Sequence, residues 1–257
     1  MRFATWNVNS LRARRELVAQ WLREHQPDVL CLQETKVKDA EFPEDLFEDA
    51  GYHVVHWGVS AWNGVALVTR EPVEQFGRGI VDEDEEARCI VGVVEGIHIF
   101  SVYVPNGRAL DDPHYVYKLE WLDSLRERAI AEMELGPVII AGDFNIAPTD
   151  ADVYDRAALE GATHVSEPER LALRRILDLG LFDCGATLSD PAEGPHFTWW
   201  DYRQGAFRRG MGMRIDLVLA SESLRASVRS VAVDRLARAA PKPSDHAPVV
   251  VEFEHRS

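Results

Sequence analysis

The order of strand-like and helix-like segments constrains the fold more than any other feature of this sequence. The run RFATWNV, a stretch with helical spacing through Leu17 and Trp21, and the run DVLCLQE predict a β-α-β unit at the start of the chain. Four later runs rich in β-branched and aromatic residues predict consecutive antiparallel strands: HVVHWG, GVALVTR, CIVGVVEG and IHIFSVYV. The stretch EQFGRGIVDEDEEAR between two of them is predicted to be a solvated connection.

The second half repeats this order. Helical spacing covers residues 115–134, and Gly136-Pro137 ends that helix before the strand-like run VIIAGDFN. A helix through Arg170 to Leu179 then precedes the runs TWW, IDLVLAS, SVAVD and PVVVEF. Because no Ser/Gly linker separates the halves, we expect one catalytic domain over residues 1–257. The predicted class is α/β, a four-layer αβ-sandwich of two packed mixed β-sheets flanked by helices.

Charge limits how the chain could bind nucleic acid. With 28 basic and 43 acidic residues, the net charge of −15 argues against a protein whose whole surface grips phosphates. A basic face remains compatible with this balance, although each basic stretch also fits a solvated surface. The basic stretches are Arg12, Arg14 and Arg15; Lys36 and Lys38; and Arg203, Arg208, Arg209 and Arg214.

The cysteines and the apolar runs indicate the compartment. Cys31, Cys89 and Cys184 are far apart and lack C-x-x-C spacing, which predicts buried thiols in a reducing cytosol. No apolar run approaches the ~18 residues that span a bilayer, and the start MRFATWNVNS lacks a secretion signal. We therefore expect a cytoplasmic protein without membrane contact, with a monomer as the default state.

Acidic residues stand where strand-like runs begin or end. Glu34 ends VLCLQE, Asp143 ends VIIAGD, Asp216 begins IDLVLA, and Asp245 precedes PVVVEF. Burying unpaired carboxylates there would be costly, so a shared site is expected, although a single Asp at a strand end is more often a turn residue. Oxygen ligands without a Cys/His cluster favour Mg²⁺, Mn²⁺ or Ca²⁺ over Zn²⁺. The pattern predicts metal-assisted chemistry at the rim of a sheet.

Seven motifs give the chain a family resemblance. They are WNVNSLRAR, LQETK, NGVALVTR, GDFNIAP, FTWWDYR, MRIDLVLAS and SDHAPVV. In this order they resemble the motifs of the exonuclease III family, within the endonuclease/exonuclease/phosphatase superfamily, over nearly the whole chain. The resemblance implies a DNase I-like fold and a Mg²⁺-dependent AP endonuclease, with Mn²⁺ as a substitute. It also implies action on double-stranded DNA, 5′ to abasic sites, with 3′-5′ exonuclease and 3′-end-cleaning activity at blocked ends.

The resemblance implies roles for particular residues. Glu34 is the expected principal metal ligand, and the further residues in or beside the metal shell are Asn7, Asn9, Asp143, Asn145 and Asp245. Asp143 is expected to orient or deprotonate the attacking water, and Asn145 to hydrogen-bond that water or the phosphate. His246, supported by Asp216, is expected to stabilise charge on the phosphate, and Tyr103 to donate to it.

A second group of residues is expected to contact DNA. Its members are Arg88, Trp199, Arg203, Arg208, Arg209, Met213 and Arg214. Phe197, Trp199 and Ile215 are expected to line a small apolar pocket for the extruded abasic sugar, and Met213 to wedge into the duplex. Arg88 is expected to support Tyr103 or the phosphate. Gly210 and Met211 depart from the family pattern, which usually has Asn-Arg there.

Three alternatives remain open at this point. One is a phosphatase of the same superfamily acting on a small phosphoester, against which FTWWDYR and the Arg-rich loop argue. Another is a non-catalytic DNA-binding or scaffold protein, against which the full polar set argues. The third is an enzyme that prefers 3′ exonuclease or 3′-phosphatase work over incision at abasic sites, because one site can serve all three activities.

Overall fold

The computed structural model describes residues 1–81, 84–188 and 196–254. The strands are β1 (Arg2–Asn7), β2 (Val29–Gln33), β3 (His53–Trp57), β4 (Val65–Thr69), β5 (Gln75–Arg78), β6 (Cys89–Val94), β7 (Ile97–Tyr103), β8 (Val138–Asp143), β9 (Leu181–Asp183), β10 (Trp199–Trp200), β11 (Gly212–Met213), β12 (Asp216–Ser221), β13 (Val228–Val233) and β14 (Val249–Phe253). The α-helices are α1 (Arg15–His25), α2 (Asp45–Glu48), α3 (Pro113–Met133), α4 (Glu167–Leu177), α5 (Ala206–Arg209) and α6 (Arg235–Ala239).

Two six-stranded sheets form the centre of the molecule. Their strand orders are β13-β14-β1-β2-β4-β3 and β5-β6-β7-β8-β12-β9, and β10 pairs with β11 in a separate short ribbon. Both sheets are mixed, since β1 and β2 are parallel, as are β7 and β8, whereas the other pairs are antiparallel. The predicted α/β sandwich of two mixed sheets is therefore confirmed.

Alternation of side chains along each strand separates the layers. On β2, Cys31 faces the core between the sheets while Leu30 packs in the cluster that includes α1. On β8, Ile139 belongs to the inter-sheet core while Ile140 packs with α3 and α4. Ser166 caps α4 in a reciprocal pair with Glu169. The layers therefore run helix, sheet, sheet, helix.

The strand predictions hold in part. The β-α-β opening is confirmed, and helix α3 matches the predicted 115–134. The expectation of four consecutive antiparallel strands was wrong, because β3 and β4 pair in one sheet while β6 and β7 pair in the other. The predicted connection at 74–88 contains β5, an edge strand whose side chains are largely exposed, so that its polar composition resembles a loop.

Two smaller expectations can be compared with the fold. Cys31, Cys89 and Cys184 are buried, as predicted. Among the helices within the described ranges, none has both the length and the apolar character that crossing a bilayer requires.

Candidate active site

Strand termini bring the predicted polar residues to one edge of the sandwich. Asn7 ends β1 and Tyr103 ends β7, while Glu34 directly follows β2. Asp143 ends β8 and faces Asp216, the first residue of β12, in the antiparallel register. Because β1 with β2 and β7 with β8 run parallel, their carboxyl ends meet at the same edge. The sequence therefore places these groups together although they lie far apart along the chain.

A carboxylate pair forms the centre of the site. The Asn7 side-chain amide donates from Nδ2 to Glu34 Oε1 at 2.8 Å and to Asp143 Oδ2 at 2.9 Å. Burial raises the pKa of Asp143 to about 7; His246 opposes this shift, while Asp216 and Glu34 add to it. Ligand atoms of Glu34, Asp143 and His246 lie within 4.8 Å of one another. Negative charge is thus concentrated where a cation would compensate it.

His246 lies between two carboxylates. Its Nδ1 is 2.8 Å from Asp216 Oδ2, and its Nε2 is 3.8 Å from Asp143 Oδ2. Burial favours the neutral ring, but Asp216 and Asp143 outweigh it and raise the pKa of His246 to about 10. Thr198 Oγ1 accepts from the backbone N–H of Asp216 at 3.1 Å, which fixes the strand end that holds the ring. The imidazole is therefore a cation at neutral pH and a poor metal ligand.

Glu34 and Asp143 fit a hard divalent cation best. The amide oxygens of the other predicted ligands have protein donors: Asn7 Oδ1 accepts from the Asn9 N–H at 3.0 Å, and Asn9 Oδ1 accepts from Lys36 Nζ at 2.6 Å. Lys36 Nζ also lies 2.7 Å from Glu34 Oε2. Two carboxylates without a thiolate neighbour suit Mg²⁺ or Mn²⁺.

Asp245 lies beside this cluster and is held by two donors. Asn9 Nδ2 donates to Asp245 Oδ1 at 2.9 Å, and Trp199 Nε1 donates to Oδ2 at 3.1 Å. Burial alone would raise the pKa of Asp245, but His246 and these two hydrogen bonds lower it. Asp245 is therefore an ionised carboxylate that connects the predicted metal residues to the wall of the pocket.

Asn145 is fixed by both ends of its side chain. Its Nδ2 donates to Val104 O at 2.9 Å, and its Oδ1 lies 3.2 Å from Asn106 Nδ2 and 3.0 Å from His164 Nε2. Its backbone N–H donates to Asp143 Oδ1 at 2.9 Å, with a positive φ of 50°. The second hydrogen on Nδ2 is the part of this amide that remains available to a phosphate or water.

Sequence reasoning missed the network behind Asn145. The fully buried Lys118 donates from Nζ to Asn145 O at 2.6 Å and to Glu169 Oε1 at 2.5 Å. Burial and the Lys118 charge lower the pKa of His164 to about 4, so this ring is neutral. A signal was present, since Lys118 falls at helical spacing with Leu122 and Leu125 on the buried face of α3.

Tyr103 and Arg88 form a second supporting pair. The Arg88 guanidinium carbon lies 4.9 Å from the centroid of the Tyr103 ring, which agrees with the expected support of Tyr103 by Arg88. Burial, followed by the charges of Glu34 and Asp143, raises the pKa of Tyr103 well above its usual value. The phenol therefore stays protonated and remains a hydrogen-bond donor.

One wall of the site is apolar. Trp199, Met213 and Ile215 line a cavity of about 310 Å³ together with Asp143 and His246. Trp199 pairs with Met213 across the β10–β11 ribbon. Met213 is only 5% exposed, so it forms a wall and does not project as the expected wedge. Phe197 was predicted in this pocket but lies just before β10 and packs with Trp200, Ala206 and Ala247 in a separate core cluster.

The predicted DNA-binding arginines divide into two groups. Arg203, Arg208 and Arg209 are exposed around α5. Arg214 is only 7% exposed, and its guanidinium binds Asp152 Oδ1 at 2.6 Å and Asp183 Oδ2 at 2.7 Å. The prediction that Arg214 contacts DNA does not fit this position, since two carboxylates already occupy its donors.

Known proteins resemble this chain over its whole length. The model of the Endonuclease/Exonuclease/phosphatase family matches residues 4–246. Exodeoxyribonuclease III of Haemophilus influenzae is 34% identical, with 99% of this chain and 100% of that protein covered. Neisseria 3′ phosphatase NExo, solved with a product DNA hairpin, is 40% identical, with a TM-score of 0.95 and 99% and 100% of the two chains covered.

A second solved structure extends this likeness. An AP endonuclease from Archaeoglobus fulgidus is 37% identical, with a TM-score of 0.93 and 99% and 100% of the two chains covered. The acidic cluster at the sheet edge and the full-length matches therefore agree with the resemblance in the motifs. The chain belongs to the endonuclease/exonuclease/phosphatase family and, within it, to the exodeoxyribonuclease III family.

Proposed function

We propose that this chain is a DNA-repair nuclease that hydrolyses phosphodiester bonds of duplex DNA 5′ to abasic sites and processes 3′ ends at the same site. The observation that carries the proposal is the position of Asp143, between the Glu34–Asn7 pair and the His246–Asp216 pair. The names of its relatives, exodeoxyribonuclease III, 3′ phosphatase and AP endonuclease, support this range of activities. Mg²⁺ is the proposed metal, with Mn²⁺ as a substitute.

Asp143 is proposed to prepare the nucleophile. Its carboxylate lies 3.8 Å from the His246 imidazole and would orient a water molecule and accept its proton. The water oxygen then forms a bond to phosphorus while the bond from phosphorus to the 3′ oxygen breaks. The 3′ oxygen takes a proton from solvent, which leaves a 3′-hydroxyl and a 5′-phosphate. The free hydrogen on Asn145 Nδ2 would hold the water or a phosphate oxygen in line.

The developing negative charge is met by fixed donors. His246 presents a protonated Nε2, because Asp216 holds its Nδ1 at 2.8 Å. The Tyr103 phenol, which hydrogen-bonds Glu34 in this structure, is proposed to turn its single O–H to the phosphate as a second donor. Such preorganised donors stabilise a transition state without reorganising solvent. Glu34 and Asp143 would hold the metal ion, which would supply positive charge to compensate the phosphoryl oxygens and the leaving 3′ oxygen.

The apolar wall supports recognition of a sugar without its base. The apolar side chains of this wall face the reaction centre and present no charge to a deoxyribose ring. They are Trp199, Met213 and Ile215. Extruding an abasic sugar from a duplex costs less than extruding an intact nucleotide, because no base has to be unstacked. Arg203, Arg208 and Arg209 form an exposed basic group that suits the DNA backbone.

Cleavage of labelled duplexes tests the proposal. One duplex carries a single tetrahydrofuran abasic analogue, a second has a recessed 3′ end, and a third has a 3′-phosphate, each with Mg²⁺ and then with EDTA. We expect metal-dependent incision 5′ to the analogue and processing of both 3′ ends, all absent in Asp143→Asn. The exposed variant Glu127→Gln on α3 is the matched control and should cleave as the wild type does.

The alternatives correspond to other results of this experiment. Processing of 3′ ends without incision would restrict the function to the 3′ activities. Binding without cleavage would indicate the non-catalytic DNA-binding protein. Failure to cleave any DNA, with hydrolysis of a small phosphoester, would replace the proposal with the superfamily phosphatase.

A cytoplasmic monomer is the proposed setting for this activity. Three buried cysteines suit a reducing compartment. Light scattering coupled to size exclusion should give the mass of one 29.0 kDa chain, and a dimer mass would overturn the proposed monomer.

A further inference from the structure

A second cavity, of about 390 Å³, adjoins the site cavity. The two cavities share three wall residues, His164, Trp199 and Met213. The second cavity is therefore a direct neighbour of the site cavity. We refer to it as the adjoining cavity.

The walls of the adjoining cavity combine flat apolar surface with polar groups. Tyr154 and Trp199 provide aromatic rings, and Leu159, Ala162 and Met211 provide aliphatic surface. Asp201, Arg203 and Gln204 add hydrogen-bonding groups to the lining. Aromatic and apolar faces stack on any nucleobase, while edge groups such as these hydrogen-bond it.

We propose that the adjoining cavity binds the nucleobase of the 3′-terminal nucleotide that the enzyme releases. The proposal rests on the proposed function, in which the broken bond lies on the 5′ side of the released phosphate. The released sugar then lies against Trp199 and Met213, and the base on that sugar is within one nucleotide of the reaction centre. The shared wall places the adjoining cavity at that distance.

Three DNA substrates differ in whether the released sugar carries a base: a recessed 3′ end with a mismatched terminal nucleotide, a tetrahydrofuran site and a 3′-phosphate. The mismatched terminal nucleotide carries an unpaired base that can leave the stack at low cost. A tetrahydrofuran site carries a sugar without a base, and a 3′-phosphate carries neither. Only the first substrate uses the adjoining cavity, so the other two serve as internal references.

The variant Ala162→Phe tests the inference by filling the adjoining cavity. We expect the ratio of kcat/KM for removal of a mismatched 3′ nucleotide to kcat/KM for 3′-phosphate removal to fall about tenfold, the size of one lost base stack. Ala158→Phe is the matched control. Ala158 is exposed on the adjacent 3-10 turn (Ala157–Leu159) and lies outside the cavity lining, so its ratio should stay at the wild-type value.

Product inhibition of the wild type provides a second measurement that does not depend on a variant. Deoxyadenosine 5′-monophosphate should inhibit 3′-phosphate removal about tenfold more strongly than deoxyribose 5-phosphate, which lacks the base. Equal inhibition by the two compounds, or an unchanged activity ratio in folded Ala162→Phe, would overturn the inference. Failure of the wild type on all three DNA substrates would instead overturn the proposed function.

Discussion

Asp143 Oδ2 and His246 Nε2 face each other at 3.8 Å, and each residue shifts the charge state of the other. The carboxylate helps to keep the imidazole protonated, and the imidazolium moderates the rise in the pKa of Asp143. The proposed base for water, Asp143, and the proposed donor for phosphate, His246, therefore lie on the two sides of one gap. The predictions below test the parts of this arrangement separately.

Asp216→Asn should weaken the donor. Without the Asp216 carboxylate at 2.8 Å, the pKa of His246 should fall from about 10, and the ring loses its proton as pH rises through that lower value. The alkaline limb of the pH profile of kcat/KM should therefore move to lower pH, with kcat reduced about 10²–10³-fold. An unchanged alkaline limb in a folded variant would show that the His246 proton is not required.

Asp143→Asn should stabilise the protein while it abolishes activity. The folded-state pKa of about 7 exceeds the ordinary 3.8, so the stability contributed by the protonated carboxyl is lost as pH rises through this window. In EDTA at pH 8 the variant should gain about 1–3 kcal/mol in the free energy of unfolding. Urea titrations at pH 8 and pH 5 check this, since the gain should shrink at pH 5.

Metal addition provides the companion measurement for Asp143→Asn. A ligand that binds only the folded state raises Tm, and the rise grows with the logarithm of the ratio of ligand concentration to Kd. Mg²⁺ should raise the Tm of the wild type more than that of Asp143→Asn. Equal shifts would place the metal away from Asp143.

Lys118→Met should cost about 3–5 kcal/mol in the free energy of unfolding, because it leaves the fully buried Glu169 carboxylate without its partner. The double variant Lys118→Met/Glu169→Gln should recover part of that loss. Urea denaturation of both variants measures the difference. If the double variant is no more stable than Lys118→Met, the unpaired charge is not the cause.

Arg208→Ala should weaken DNA binding without changing stability, whereas Arg214→Met should lower stability. Arg208 is exposed, so its loss should reduce the slope of log Kd against log salt concentration by about 1 and leave Tm unchanged. Arg214 is buried between Asp152 and Asp183, so its loss should destabilise the fold by about 3–5 kcal/mol. A folded Arg214→Met with normal Tm and a reduced salt slope would restore Arg214 as a DNA contact.

The sequence was most informative where a pattern is local. The strand-like runs RFATWN and VLCLQ predicted strands β1 and β2, and helical spacing predicted α1 and α3. Polar residues at the ends of apolar runs pointed to Glu34, Asp143 and His246. Burying a charge at a strand end is costly, so such residues indicate a binding or catalytic site. Local patterns could not predict β5, whose exposed edge position permits a polar composition.

Tertiary structure alone decided which side chains face the same space. The burial of Arg214 and the link from Lys118 to Asn145 depend on partners 27 to 62 residues apart, and Phe197 packs in a core cluster that includes the distant Ala247. The sequence determined the strands, the helices and the chemical groups at their ends, since these follow from short-range periodicity. The arrangement of those groups depended on how two sheets pack, because contacts between distant segments leave no periodic trace along the chain.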